Sequence, residues 1–243
     1  MLEQSLELIE RAGATTYRNV HEKTLFALAQ TAFSNRDFNT ATKCYEQALP
    51  RYPTSPSALF GRYQLAECYR RDAREFQRLQ PSDALGVPNR YRGSFSFPLE
   101  KAAVQLQILV DDLQARQATA PLAEGDARLL MQARFTLADC RCGLGAYSEA
   151  IPLYSSLANQ YDQRLEGLLA RKQLYFCYVM EPEKPGVNLQ LAQHTLKEMR
   201  QTLEKLDESA FQSRPEAEQL AELKRWLNNE EKQFQDIVDK SPK

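Results

Sequence analysis

The residues that could do chemistry are few and scattered. Cys140 and Cys142 stand two apart, close enough in sequence to suggest a metal-binding or redox pair. Inside a regular helix that spacing turns the two thiols to different faces, so the pair reads as no chelate. His21 and His194 are the two histidines and belong to opposite halves of the chain, which leaves no Cys/His cluster with zinc spacing. Asp111-Asp112 and Glu230-Glu231 are acidic pairs within polar stretches of predicted helix, where a solvated face accounts for them. The nine glycines are dispersed, with no GxxxxGK[ST], GxGxxG or GxSxG run to cradle a phosphate or present a nucleophile. The expectation is a non-enzymatic chain with no catalytic residues, no metal and no cofactor.

One stretch carries a different chemistry. Arg70, Arg71, Arg74, Arg78, Arg90 and Arg92 alternate with Phe76, Tyr91, Phe95 and Phe97, and basic side chains interleaved with aromatics suit single-stranded nucleic acid. The competing reading is structural. A helix runs through Arg78 and breaks at Pro81, a loop spans Gly86 to Gly93, and a new helix starts at Pro98, with Phe95 and Phe97 packing as loop anchors. Such a segment could also carry a protein contact, as insertions in helical arrays often do.

Positioning any of these groups falls to helices. Leu25, Leu28, Ala29 and Ala32, then Ala41, Tyr45 and Ala48, recur at the three-and-four spacing of a buried helix face. Small Ala29 and Ala41 allow two helices to approach closely, Phe38 and Tyr45 fill space toward a next pair, and Pro53 ends the second helix after Tyr52. The same unit returns further along. LAQTAFSNRDFNTATKCYEQALPRYP at 28–53 aligns without gaps on LADCRCGLGAYSEAIPLYSSLANQYD at 137–162, pairing Phe38 with Tyr147, Ala41 with Ala150, Tyr45 with Tyr154 and Tyr52 with Tyr161. The register continues through 58–71 on 167–180, matching Leu59/Leu168, Arg62/Arg171, Gln64/Gln173, Cys68/Cys177 and Tyr69/Tyr178. LEKAAVQLQILVDDL from Leu99 then matches LQLAQHTLKEMRQTL from Leu189 in a shifted register, so the first copy carries extra residues between Tyr69 and Leu99. An internal repeat of this kind fixes architecture before any local argument does. Cys68, Cys140 and Cys177 fall at one place in three such helices, which marks them as small packing residues.

Leu28-Ala29, Phe38, Ala41, Tyr45, Ala48 and Pro53 resemble the tetratricopeptide repeat signature, and the 137–162 copy, with Gly145 and Tyr147 in its turn, resembles it too. The hairpins near Ser57 and Gly167 look like degenerate versions, and YPTSPSAL followed by LAECY is similar in style to bacterial envelope-associated members, the outer-membrane assembly and Tol-Pal accessory proteins. The resemblance implies an all-α, right-handed α-solenoid of about four hairpins, two regular and two with insertions, and a C-terminal capping helix. Its segments would be a short N-terminal helix or remnant of a preceding repeat at 1–19, a first pair of hairpins at 20–116 with the insertion at 72–98, a linker at 117–128, a second pair at 129–208 and the cap at 209–243.

The resemblance also implies that the first helices of the hairpins line a concave wall. Phe26, Gln30 and Phe33 would share one stripe, Tyr63, Glu67 and Arg70 the next, then Phe135, Asp139 and Cys142, then Lys172, Phe176 and Val179, with Phe60 and Gln132 flanking and Arg71 beside them. An aromatic-lined groove with scattered cations suits a protein or peptide partner with apolar anchors and some acidic groups. The opposing reading packs the same aromatics between hairpins. Carboxylate-clamp members of the family place Asn and Lys on this wall, whereas here stand Gln30, Glu67, Asp139 and Phe176, which argues against capture of a chaperone tail.

The bulk properties agree with such a scaffold. At 243 residues, 43% hydrophobic and 26% charged, with a mean hydropathy of −0.55, the chain can bury a sizeable core. A net charge of −1 exerts no global pull on nucleic acid or anionic membrane, and no apolar run approaches the roughly 20 residues of a membrane span. MLEQSLELIERAG alternates acidic and apolar residues, with Leu2, Leu6 and Ile9 forming a short amphipathic helix that Gly13 stops, and lacks the basic start of a signal peptide. The chain as given reads as cytoplasmic, or as an envelope protein whose native N-terminus lies upstream. Near the other end, Ser213-Arg-Pro-Glu216 reads as a helix start for the cap running to Val238. Ala217, Leu220, Ala221, Leu227, Phe234 and Ile237 would face inward, Trp226 would anchor it, and Glu230 would face water.

Overall fold

A computed structural model describes residues 18–79, 92–183, 185–206 and 214–240. Among the described residues the fold is all-α, with nine helices and no strand. They are α1 (Arg18–Ser34), α2 (Phe38–Arg51), α3 (Ala58–Leu79), α4 (Arg92–Thr119), α5 (Glu124–Gly143), α6 (Tyr147–Gln160), α7 (Leu165–Met180), α8 (Pro185–Lys205) and α9 (Arg214–Lys240). The chain divides into two compact units, Met1–Leu144 and Gly145–Lys243, so α5, grouped in the sequence with the second pair of hairpins, lies in the first unit. The N-terminal segment around Leu2, Leu6 and Ile9, the central insertion residues 80–91 and the capping candidate Ser213 lie outside the described residues.

In the first unit each helix packs on the next, α1 on α2, α2 on α3, α3 on α4 and α4 on α5, while α1 also reaches α3 and α3 reaches α5. The buried positions are those of the apolar stripes. Leu25, Ala29, Ala41, Tyr45 and Ala48 are all at most 1% exposed. Phe26, Tyr45 and Gly61 meet where α1, α2 and α3 converge, and a side-chain carbon on Gly61 would lie 3.1 Å from the Phe26 ring and 3.2 Å from the Tyr45 ring. The Tyr45 hydroxyl donates to Gln64 Oε1 in that core, satisfying two polar groups that burial would otherwise penalise. In the second unit α6 packs on α7, α7 on α8 and α8 on α9, with α9 also touching α7.

The turn joining α1 to α2 shows why the helices end where they do. The Asp37 N–H donates to the Ala32 carbonyl at 2.9 Å and the Arg36 N–H to the Phe33 carbonyl at 3.0 Å, the paired bonds of a Schellman termination. Asp37 then caps α2, its carboxylate accepting from the Thr40 N–H at 3.1 Å, and hydrogen bonding from the Thr40 side chain and then from that N–H holds its pKa below the ordinary carboxylate value. The termination requires a left-handed residue, and Arg36 supplies it at φ 63°. In the second copy the aligned residue is Gly145, at φ 74°. Arg36→Gly is therefore expected to stabilise the protein by about 0.5–1 kcal/mol, the left-handed penalty removed less the extra chain entropy of glycine. A rise in Tm of roughly 1–4 °C checks it, and a fall would show that the Arg36 side chain contributes more than its backbone costs.

Three sequence expectations need correction here. Pro98 does not start a helix: α4 begins at Arg92, with Pro98 inside it. Proline removes one backbone donor and crowds one carbonyl, so a helix can extend upstream of it when it falls near the N-terminal end. Phe97 is consequently a helical residue, 60% exposed with Lys101 Nζ 5.1 Å from its ring centre, rather than a loop anchor packed on the core. Within the linker read at 117–128 the non-helical residues are Ala120–Ala123. On α9 the buried residues are Leu220, Leu223, Leu227 and Phe234, while Ala217 and Ala221 are exposed. Leu223 continues the i, i+3, i+7 line through Leu220 and Leu227, which the two alanines leave.

Candidate functional site

The surface that α1, α3 and α5 share in the first unit holds most of the residues singled out in the sequence. Their positions differ from one another in kind. Phe26 is 5% exposed and belongs to the core, its ring 6.5 Å from Tyr45. It lies beside the Leu25/Ala29 stripe, and Gly61 on α3 leaves it a seat that a larger residue would occupy. Phe33 is half-buried and meets Phe38 edge-on at 5.5 Å, and Arg71, although exposed, stacks its guanidinium 4.3 Å over that same Phe38 ring. Arg71 is thus turned toward α2, where the cation–π contact holds it.

Arg70 and Glu67 are joined at 2.5 Å, and Arg70 also faces Asp139 of α5 at 3.5 Å. The Arg70 charge is balanced within the protein by two carboxylates, which leaves little of it for a phosphate or an acidic peptide. Beside this cluster Tyr63 is half-buried and hydrogen-bonded to Thr136, with its hydroxyl pKa raised by burial, while the Thr136 hydroxyl donates to the Gln132 carbonyl at 2.8 Å. These links fix α3 against α5. Cys140, one residue from Asp139, is buried, and burial pushes its thiol up to about 12, as it pushes Cys68 up to about 11. Both stay protonated at neutral pH, and nucleophilic or metal-binding chemistry needs the thiolate.

Phe60, Gln30, Gln132 and Phe135 complete the face. Phe60 is 47% exposed, an unusual exposure for a phenylalanine on a helix that buries Leu59, Leu65 and Tyr69. It stands at the mouth of a recess of about 210 Å³ lined by Phe26, Gln30, Tyr45, Pro56, Ser57, Phe60, Gly61 and Gln64. Gln30 and Gln132 are exposed and Phe135 is half-buried. The recess therefore has a wall of mixed character, aromatic at Phe26, Tyr45 and Phe60 and polar at the exposed Gln30 and the buried Gln64.

The remaining candidates lie on α7 and serve the second unit. Phe176 is half-buried against Trp226 of α9, with ring centres 5.6 Å apart, and Lys172 Nζ sits 5.0 Å from the centre of the same indole. Tyr175 completes the cluster at 5.7 Å from Trp226 and 6.2 Å from Phe234, and its hydroxyl donates to Glu230 Oε1 at 2.8 Å. Trp226 does anchor α9 as expected, but it does so on Lys172 and Phe176, which removes them from an open groove. Glu230 faces Tyr175 rather than water alone. Val179 and its neighbour Met180 remain exposed.

Of the arginine-rich stretch, Arg70 and Arg71 are engaged as described and Arg74 is exposed on α3. Arg90 and Tyr91 lie outside the described residues. No group of three or more His, Cys, Asp or Glu residues arranged for a metal ion occurs among the described residues, and none of their helices is long and apolar enough to cross a membrane. No family model matches the chain, and no curated protein matches it at a significant level.

Proposed function

We propose that the chain is a non-enzymatic interaction scaffold of tetratricopeptide-like hairpins, arranged as a right-handed α-solenoid, that captures a protein or peptide on the α1, α3 and α5 face of the first unit. The observation carrying the reading is Phe60, 47% exposed beside a recess of about 210 Å³ with a mixed aromatic and polar lining, on a helix that buries Leu59, Leu65 and Tyr69. A recess of this size fits one apolar side chain of a partner rather than a small-molecule cofactor. Binding energy at such surfaces concentrates in a few aromatic anchors, and Phe60, Tyr63 and Phe135 are aromatic residues of the face not buried in the core, as is Phe33, which is engaged with Phe38. Support for the hairpin reading comes from the contacts α1–α3 and α3–α5, since first helices that touch across intervening second helices are what stacked hairpins require. The matched left-handed turns at Arg36 and Gly145 support it independently.

The test is capture from the source cells by wild type and by Phe60→Ala/Phe135→Ala. The double variant should retain helicity and lose the captured partner by roughly tenfold or more, the size of a hot-spot pair. Phe26 is left intact, because its replacement would open the core. An unchanged set of captured proteins would overturn the assignment. Loss of capture on deleting residues 80–91, with the double variant still competent, would move the site to the insertion.

A further inference from the structure

Arg62 and Arg171 occupy the same position in the two copies of the repeat, and their surroundings differ in one respect. Arg171 is 7% exposed and held between two carboxylates, its Nη2 on Asp162 Oδ1 and its Nε 3.9 Å from Glu198 Oε2, with Nη1 left unbonded. In the first copy the residue aligned with Asp162 is Pro53 and the residue aligned with Glu198 is Ile108. Arg62 therefore has no carboxylate partner among the described residues. Its Nη1 donates to Gln105 Oε1 at 3.2 Å, and its Nε is buried without a hydrogen bond. A guanidinium offers a planar fork matched to a carboxylate, and a buried charged donor without a partner is costly.

Where the second copy has Asp162, the first has Pro53 at the wall of a space. A cavity of about 270 Å³ opens at Arg62 between the end of α2, the middle of α3 and α4, walled by Leu49, Pro50, Pro53 and Leu65. Tyr45, Tyr69 and Glu46 also line it. Glu46 has its own partners, accepting from the Tyr69 hydroxyl at 2.5 Å and lying 3.4 Å from Lys101 Nζ. Its negative charge beside the cavity opposes any incoming anion and a phosphate or dicarboxylate most, so a singly charged group placed against Arg62 is the least disfavoured.

We infer that the Arg62 cavity is a binding site for a monocarboxylate carrying a small apolar body, the incoming group taking the place that Asp162 holds in the other copy. The site shares Tyr45 with the Phe60 recess but opens toward α2 and α4, and it is tested at Arg62 and Pro53 whereas the other is tested at Phe60 and Phe135, so the two outcomes are distinguishable. The carboxylate can come from a free organic acid or from an acidic side chain of a bound peptide.

Titration calorimetry and thermal melts on the full chain distinguish them. Phenylacetate is the free-acid probe, with neutral phenylacetamide as its control, and acetyl-Phe-Asp-Phe amide is the peptide probe, with the Asn peptide as its control. At least one acid should bind saturably and raise the Tm while its neutral control does not, and whichever binds identifies the source. Arg62→Gln, which keeps a group able to reach Gln105, should weaken that binding roughly tenfold or more, the loss of one charge-assisted contact. Pro53→Asp restores the counter-ion of the second copy and should raise the Tm of the ligand-free protein while abolishing acid binding. Failure of both acids to bind wild type at about 20 mM, well above the weakest affinity a built site would give, overturns the proposal. So does equal binding of acid and neutral control, or acid binding that survives Arg62→Gln or Pro53→Asp.

Discussion

Ala41→Glu is expected to cost the first unit most or all of its stability. Ala41 is 0% exposed on the stripe of α2 that it shares with the buried Tyr45 and Ala48, and neither carries a positive charge to pair with an anion. Burying an unpaired carboxylate costs several kcal/mol even after relaxation, and forcing added atoms into a packed helix crossing adds about 1–3 kcal/mol. A native protein commands only about 5–15 kcal/mol in total. The expected melt is a loss of more than about 10 °C in Tm or a first unit unfolded at room temperature. Asn39→Glu is the control, since Asn39 is exposed in the first turn of α2, where a negative charge is favourable. If Ala41→Glu melts within a degree or two of wild type, the register of α2 assigned here is wrong.

What the sequence made legible was the repeat and its buried face. Tyr45 and Tyr154 are at most 1% exposed, Cys68 and Cys177 are both 0% exposed, and α2 and α6 both end immediately before the aligned Tyr52 and Tyr161. These positions are periodic within a helix and recur between copies, so two independent signals point to each. The candidate site was less legible because it depends on which helix covers which. Phe26 sits one position from the Leu25 stripe, and whether such a residue lines a groove or the core depends on what stands opposite. Gly61 was the available sign, since a glycine inside a helix that faces an aromatic residue makes room for it. The Arg70–Glu67 pair is an i, i+3 spacing readable in one helix, whereas the approach of Asp139 from α5 is a tertiary fact. Lys172 and Phe176 looked open because the stripe of α9 says that it must cover something without saying what. Trp226 chose them, and a lysine stem beside an indole is a contact that no periodicity encodes.

Gly167→Ala should destabilise the second unit more than any other single methyl added at the glycines described. A side-chain carbon at Gly167 would lie 2.1 Å from the Tyr161 carbonyl oxygen and 2.6 Å from its carbon, far inside van der Waals contact. Those atoms are backbone, so relief requires moving the turn itself rather than rotating a side chain. The turn is tied at both ends, by the Tyr161 N–H to the Leu157 carbonyl at 3.0 Å and by the Arg164 N–H to the Tyr161 carbonyl at 2.9 Å. It also carries Asp162, a half-exposed carboxylate that holds the buried Arg171, so a shift there disturbs a partner of a buried charge as well. Overpacking against rigid groups together with that strain gives an expected loss of about 2–4 kcal/mol, or a fall in Tm on the order of 5–12 °C. Gly125→Ala supplies the contrast, because nothing lies within 4 Å of its added carbon in the first turn of α5, and alanine there should raise stability by up to about 1 kcal/mol. A Gly167→Ala protein that melts like wild type would mean that α7 does not start against the Tyr161 turn, and the placement of Asp162 beside Arg171 would fall with it.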